Sequence, residues 1–86
     1  MSTRDATIAA PEGLHARPAA EFVKAVKDSG VQVTIATEGK DPVPADSILA
    51  VLGLGVKQGQ VVTLTADGDG AEAALDALVT QLESDH

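Results

Sequence analysis

The 86-residue chain contains no Cys, no Trp and no Tyr, and its single Phe leaves a core that has to be assembled from Ala, Val, Leu and Ile. Without Cys there is no disulfide, no thiolate nucleophile and no thiolate metal site, and a reducing compartment is permitted. Without bulky aromatics, helices can lie close to a sheet with only small side chains between them, which suits a two-layer packing of helices on strands. Basic residues are also scarce: six Lys and Arg stand against thirteen Asp and Glu, a net charge of −7. That is the wrong sign for nucleic acid, whose phosphates are held by clustered Lys and Arg. Met1-Ser2-Thr3-Arg4-Asp5 opens no apolar run long enough for a signal peptide or a membrane span, so no membrane insertion and a cytoplasmic location are expected.

What is present is 44% hydrophobic and 22% charged, the composition of a compact folded unit, and residues 1–86 are expected to form one domain. The charge is unevenly spread. Arg4, Arg17, Lys24, Lys27, Lys40 and Lys57 all precede position 58, whereas Asp67, Asp69, Glu72, Asp76, Glu83 and Asp85 follow it with no basic residue among them. One part of the surface should be strongly acidic. The region near Arg17, Lys24 and Lys27 should be locally basic and able to steer an acidic partner.

Residues 2–10 form a strand candidate that Pro11, Glu12 and Gly13 bring to an end. Pro18 lacks an N–H and fits only the first turn of a helix, so a helix must begin near His15 to Arg17. Its apolar positions Ala19, Phe22, Val23 and Val26 recur at helical spacing, and Gly30 ends it. Val31, Val33 and Ile35 alternate with polar or small residues as a half-buried strand does, and Glu38-Gly39 makes a turn. A strand should return over Lys40 to Val43. Pro42 and Pro44 cannot donate ladder hydrogen bonds, so this strand should be short and at the sheet edge. Asp46 or Ser47 can cap a short helix from Ile48 to Leu52, ended by Gly53 and Gly55. A strand over Val61 to Ala66 follows, then a last helix with the apolar stripe Ala71, Ala74, Leu75, Leu78, Val79 and Leu82. The order β-α-β-β-α-β-α predicts an α+β fold, a four-stranded, mainly antiparallel sheet with three helices on one face.

The chemistry concentrates in Gly13-Leu14-His15-Ala16-Arg17-Pro18-Ala19. An imidazole at a helix start meets the unpaired amides of the first turn, here those of Ala16 and Arg17, and the positive end of the helix dipole; both favour a phosphoryl anion. The same dipole end disfavours imidazolium, keeping a lone pair on His15 for attack on phosphorus. Arg17 adds a planar set of donors for phosphate oxygens. No metal or other cofactor is needed. A lone histidine near a helix cap is ordinarily a surface residue, but the fixed spacing around His15 sets it apart; His86, without such a context, is read as a disordered terminal residue. For the short helix, Ile48, Val51 and Leu54 suffice for an inner face, which turns Leu49 and Leu52 outward as an apolar partner surface.

The heptad from Gly13 to Ala19 resembles the active-site motif of HPr, the phosphocarrier family of the bacterial phosphoenolpyruvate-dependent sugar phosphotransferase system. Ser47-Ile48-Leu49-Ala50-Val51-Leu52-Gly53-Leu54-Gly55 is similar to that family's second helix and its exit, and the element order covers essentially the whole chain. The resemblance implies an open-faced β-sandwich in which His15 is phosphorylated through Nδ1 by Enzyme I and discharged to sugar-specific IIA components, with Arg17 as the active-site arginine. It adds a case for Lys24 and Lys27 as contacts to Enzyme I. The sequence itself, with no second base, no metal cluster and no deep cleft expected in so small a domain, reads as a carrier rather than an enzyme, and as a monomer that pairs transiently with larger partners. Ser47 matches a serine that a dedicated kinase phosphorylates in some Gram-positive relatives; its own sequence context reads as an N-cap. A paralogous carrier in a nitrogen-related or dihydroxyacetone relay would use the same histidine chemistry, whereas a purely regulatory module of this fold should lack the histidine. Two departures stand out. Glu12 replaces a small polar residue, and the stretch 41–46 is one residue longer than usual.

Overall fold

In the computed structural model, which describes residues 2–9, 13 and 16–84, the elements run β1 (Ser2–Thr7), α1 (Ala16–Ser29), β2 (Val33–Thr37), β3 (Val43–Pro44), α2 (Ile48–Gly53), β4 (Val61–Ala66) and α3 (Ala71–Glu83). The strands form one antiparallel sheet in the order β1-β4-β2-β3. The expected four-stranded sheet with three helices is therefore the observed fold.

Strand alternation decides which face the helices cover. Ala6, Val62, Leu64, Ala66, Val33 and Ile35 are buried on the helix side, where Ala19, Phe22, Val23 and Val26 of α1 and Ala71, Leu75, Leu78 and Leu82 of α3 meet them. Removing this apolar surface from water is the main favourable term in folding. The opposite face stays open and carries the row Thr3, Thr65 and Thr34 and the row Asp5, Thr63 and Ala36. There Thr63 Oγ1 donates to Asp5 Oδ1 at 2.9 Å.

Three boundaries differ from the sequence expectation, each for a local hydrogen-bonding reason. The first strand stops at Thr7 rather than continuing towards residue 10, because Ala9 N turns away to donate to Leu82 O of α3 at 3.1 Å. The second begins at Val33 rather than Val31, since Val31 N donates to Ser29 Oγ at 3.2 Å instead of entering the ladder. The third is Val43–Pro44 rather than residues 40–43: Lys40 N closes the turn by donating to Thr37 O at 3.1 Å. It is short and lies at the edge, as its prolines require. The acidic C-terminal third is not without a cation either. Arg4 Nε pairs with Asp76 Oδ1 at 3.1 Å across a separation of 72 residues.

Candidate functional site

The sequence motif at residues 13–19 leads into α1, which opens at Ala16. Arg17 and Pro18 lie in its first turn, where the missing N–H of proline costs no intrahelical bond. Arg17 is exposed. His15, Glu12 and His86 lie outside the described residues, as does the side chain of Ala16. Gly13 is buried with φ +74°, a left-handed conformation that suits glycine. Its backbone is pressed against the chain at Val56 and Lys57: a Cβ added there would collide with Val56 O and stand 2.7 Å from Lys57 Cα.

Further along α1, Lys24 and Lys27 are exposed. Arg17 and Lys24 are seven residues apart and Lys24 and Lys27 three, so the three cations share one side of the helix, together with the exposed Glu21 and Asp28, which leaves that side with a small positive excess. α1 packs on α2.

α2 is capped by Ser47, whose Oγ accepts from Ala50 N at 3.3 Å with the residue itself extended at φ −111°, ψ 113°. Of the two capping candidates, Ser47 is the one used. At the other end Lys40 Nζ donates to Leu54 O at 2.9 Å, placing a cation where the helix dipole is negative. Leu49 is 79% exposed and Leu52 36%. Ile48, expected on the inner face, is also 36% exposed. The helical wheel explains the correction. At about 100° per residue, Val51 and Leu54 stand about 60° apart and define the buried side, while Ile48 lies about 40° from Leu52, on the outer border. Ile48, Leu49 and Leu52 thus form one exposed apolar surface, and Val51 and Leu54 are the large apolar side chains that α2 and its C-cap bury.

A groove of about 560 Å³ between α1 and α3 is lined by Ala25, Asp28, Ala73, Ala77 and Gln81. Its α1 residues are eight or more positions beyond Arg17, so it lies on the order of 12 Å or more along the helix from the motif. No group of three or more His, Cys, Asp and Glu among the described residues could hold a metal ion. No helix among them is long and apolar enough to cross a membrane.

The described part of the region thus holds an exposed arginine at a helix start, further exposed cations along the same helix and a short helix with an exposed apolar surface, features of a class of small carrier or adaptor proteins. Comparison with known proteins makes that class specific. The model of the PTS HPr component phosphorylation site family matches residues 2–84. The phosphocarrier protein HPr of Streptomyces coelicolor is 51% identical over 78 residues, covering 91% of this chain and 84% of that protein. Among solved structures, HPr from Thermoanaerobacter tengcongensis superposes with a TM-score of 0.90 at 43% identity, covering 98% of this chain and 93% of the other. A chain from an HPr dimer of the same organism superposes with a TM-score of 0.72 at 46% identity, covering 83% and 80%. The chain belongs to the HPr family, the phosphocarriers of the phosphotransferase system, which are carriers rather than catalytic enzymes.

Sequence reasoning left out two contributors to this region. Lys40 is an unremarkable turn residue until the fold sets it under α2, and residues 56–60, for which the sequence predicts no element, abut Gly13 only in three dimensions. The glycine in Lys57-Gln58-Gly59-Gln60 is a turn signal that was available for the latter.

Proposed function

We propose that His15 carries the phosphoryl group, taking it from Enzyme I charged by phosphoenolpyruvate and passing it to sugar-specific IIA components. The observation that carries this reading is that α1 opens at Ala16 with Arg17 exposed in its first turn, so the chain position just ahead of the helix is His15. The backbone N–H groups of Ala16 and Arg17 belong to the four that a helix start leaves without intrahelical partners. They and the Arg17 guanidinium supply donors for a phosphoryl anion. In the first step the Nδ1 lone pair forms a P–N bond as the donor's bond to phosphorus breaks. In the second an acceptor nucleophile takes the phosphorus and the electron pair returns to Nδ1.

Lys24, Lys27, Leu49 and Leu52 are the proposed docking contacts, with Ile48 added on the strength of its exposure. Ser47 phosphorylation, if a kinase delivers it, would place roughly two negative charges at the edge of that surface and weaken docking. The chain is proposed to act as one cytoplasmic domain and as a monomer; since it superposes on a chain from an HPr dimer, sedimentation across a concentration range is the check.

Incubation with phosphoenolpyruvate and Enzyme I should add one acid-labile phosphoryl group by mass spectrometry, and His15→Ala should abolish it. Arg17→Ala should slow transfer about 10²-fold or more while leaving the unfolding curve in place, because its side chain is exposed. An acid-stable adduct, or one that survives His15→Ala, would overturn the assignment.

A further inference from the structure

The turn at residues 56–60 touches the chain on both sides of the segment that includes residues 10–12. Ahead of that segment, Ile8 N donates to Gln60 O at 2.9 Å, Gly59 N donates to Ile8 O at 2.8 Å, and Gln58 Nε2 donates to Ala9 O at 3.1 Å. Behind it, Gly13 is buried against Val56 and Lys57 so closely that no side chain fits. The turn is itself braced. Gln60 N donates to Lys57 O at 3.1 Å while Lys57 N donates to the Gln60 side-chain Oε1 at 2.6 Å, and Gly59 takes φ +86°. The side chains of Gln58 and Gln60 thus serve two separate purposes: one ties the turn to the incoming chain, the other fixes the turn's own shape.

Two residues after Gly13 comes His15, and one residue later α1 begins. His15 is thus tied through the chain to Gly13 on one side and to the start of α1 on the other, and displacement of a reacting group by about 1 Å can cost on the order of 10²-fold in rate.

We propose that the 56–60 turn is the platform that positions the phosphoacceptor loop, with Gln58 and Gln60 as its positioning residues. Neither is assigned a contact with the phosphoryl group; they act through the backbone at Ala9 and Gly13. The inference rests on His15 being the phosphoacceptor.

The test uses the full chain carrying Gln58→Glu, which keeps the shape but turns the donor into an acceptor facing Ala9 O, and Gln60→Met, which removes the acceptor for Lys57 N. Both sites are exposed, so each variant should fold with a midpoint shifted by no more than about 5 °C. Transfer from phosphorylated Enzyme I should lose about tenfold or more in kcat with KM for Enzyme I unchanged, since α1 and α2 are untouched. Gln58→Lys, which keeps a donor, should recover most of the rate. An unchanged kcat, or a loss confined to KM, would overturn the proposal. Amide hydrogen exchange at Ile8 and Gly59, whose N–H groups bond the strand end to the turn, measured in the unphosphorylated protein, separates this from the assignment of His15. Faster exchange in Gln58→Glu supports the clamp whether or not the wild-type chain accepts phosphate, and unchanged exchange sinks the clamp even if it does.

Discussion

Gly13 and Gly39 are both left-handed, at φ +74° and +82°, yet they differ in what surrounds them. Gly39 has nothing within 4 Å of where a Cβ would stand, whereas Gly13 has the Val56 and Lys57 backbone there. Gly39→Ala should therefore cost only the conformational penalty, about 1 kcal/mol. Gly13→Ala adds an overlap with main chain that no rotamer change relieves, for a total of about 2–4 kcal/mol. Urea unfolding of the two variants side by side measures the difference, and equal losses would mean that the 56–57 backbone yields freely. Single residues elsewhere matter less. The Arg4–Asp76 pair is well exposed and contributes at most about 1 kcal/mol, so its interest lies in linking β1 to α3 rather than in stability.

At the scale of the element, α2 is the most exposed to change. Six residues make a helix too short to persist unaided, so it depends on its cap, its C-terminal cation and two buried side chains. Ser47→Ala should cost about 0.5–1 kcal/mol in urea unfolding, with Ser47→Asp recovering most of it, because aspartate also accepts at an N-cap. Leu49→Ala should leave that unfolding curve within about 0.5 kcal/mol while weakening Enzyme I binding about fivefold or more by calorimetry. If stability falls and affinity does not, Leu49 is packing rather than docking. The elements that sequence made legible are those with a local signal. β4 runs over Val61–Ala66 as its alternation predicts, and α1 starts and stops where Pro18 and Gly30 dictate. Misplaced edges trace to hydrogen bonds that periodicity does not encode, such as Ser29 Oγ taking Val31 N. Ile48 falls outside the inner face because a short helix has a narrow buried arc, and hydrophobicity alone does not say which apolar residue lies beyond it.

For the whole molecule, net charge and local charge point in opposite directions. The chain is −7 overall, yet Arg17, Lys24 and Lys27 outnumber Glu21 and Asp28 on one side of α1, the helix that packs on α2. Association with an acidic partner should slow as salt rises, and Lys24→Gln with Lys27→Gln should flatten that dependence in stopped-flow measurements. A salt dependence unchanged by both substitutions would place the steering field elsewhere. This scale also marks the limit of what the motif could say. Gly13 to Ala19 identifies the family from contiguous residues, but the contacts that hold its flank come from positions more than 40 residues away, at Val56, Lys57 and Gln58, and only the fold brings them there.

One buried ring has a practical consequence. Phe22 is wholly enclosed between helices and sheet, and the chain has no tyrosine or tryptophan. Excited at 295 nm, the protein is dark, so any fluorescence change on mixing it with a tryptophan-bearing protein reports that protein alone. Among the described residues its phenyl group is the one aromatic ring, so the ring-current shifts of the aliphatic core in proton NMR spectra report rearrangements of the interior around Phe22.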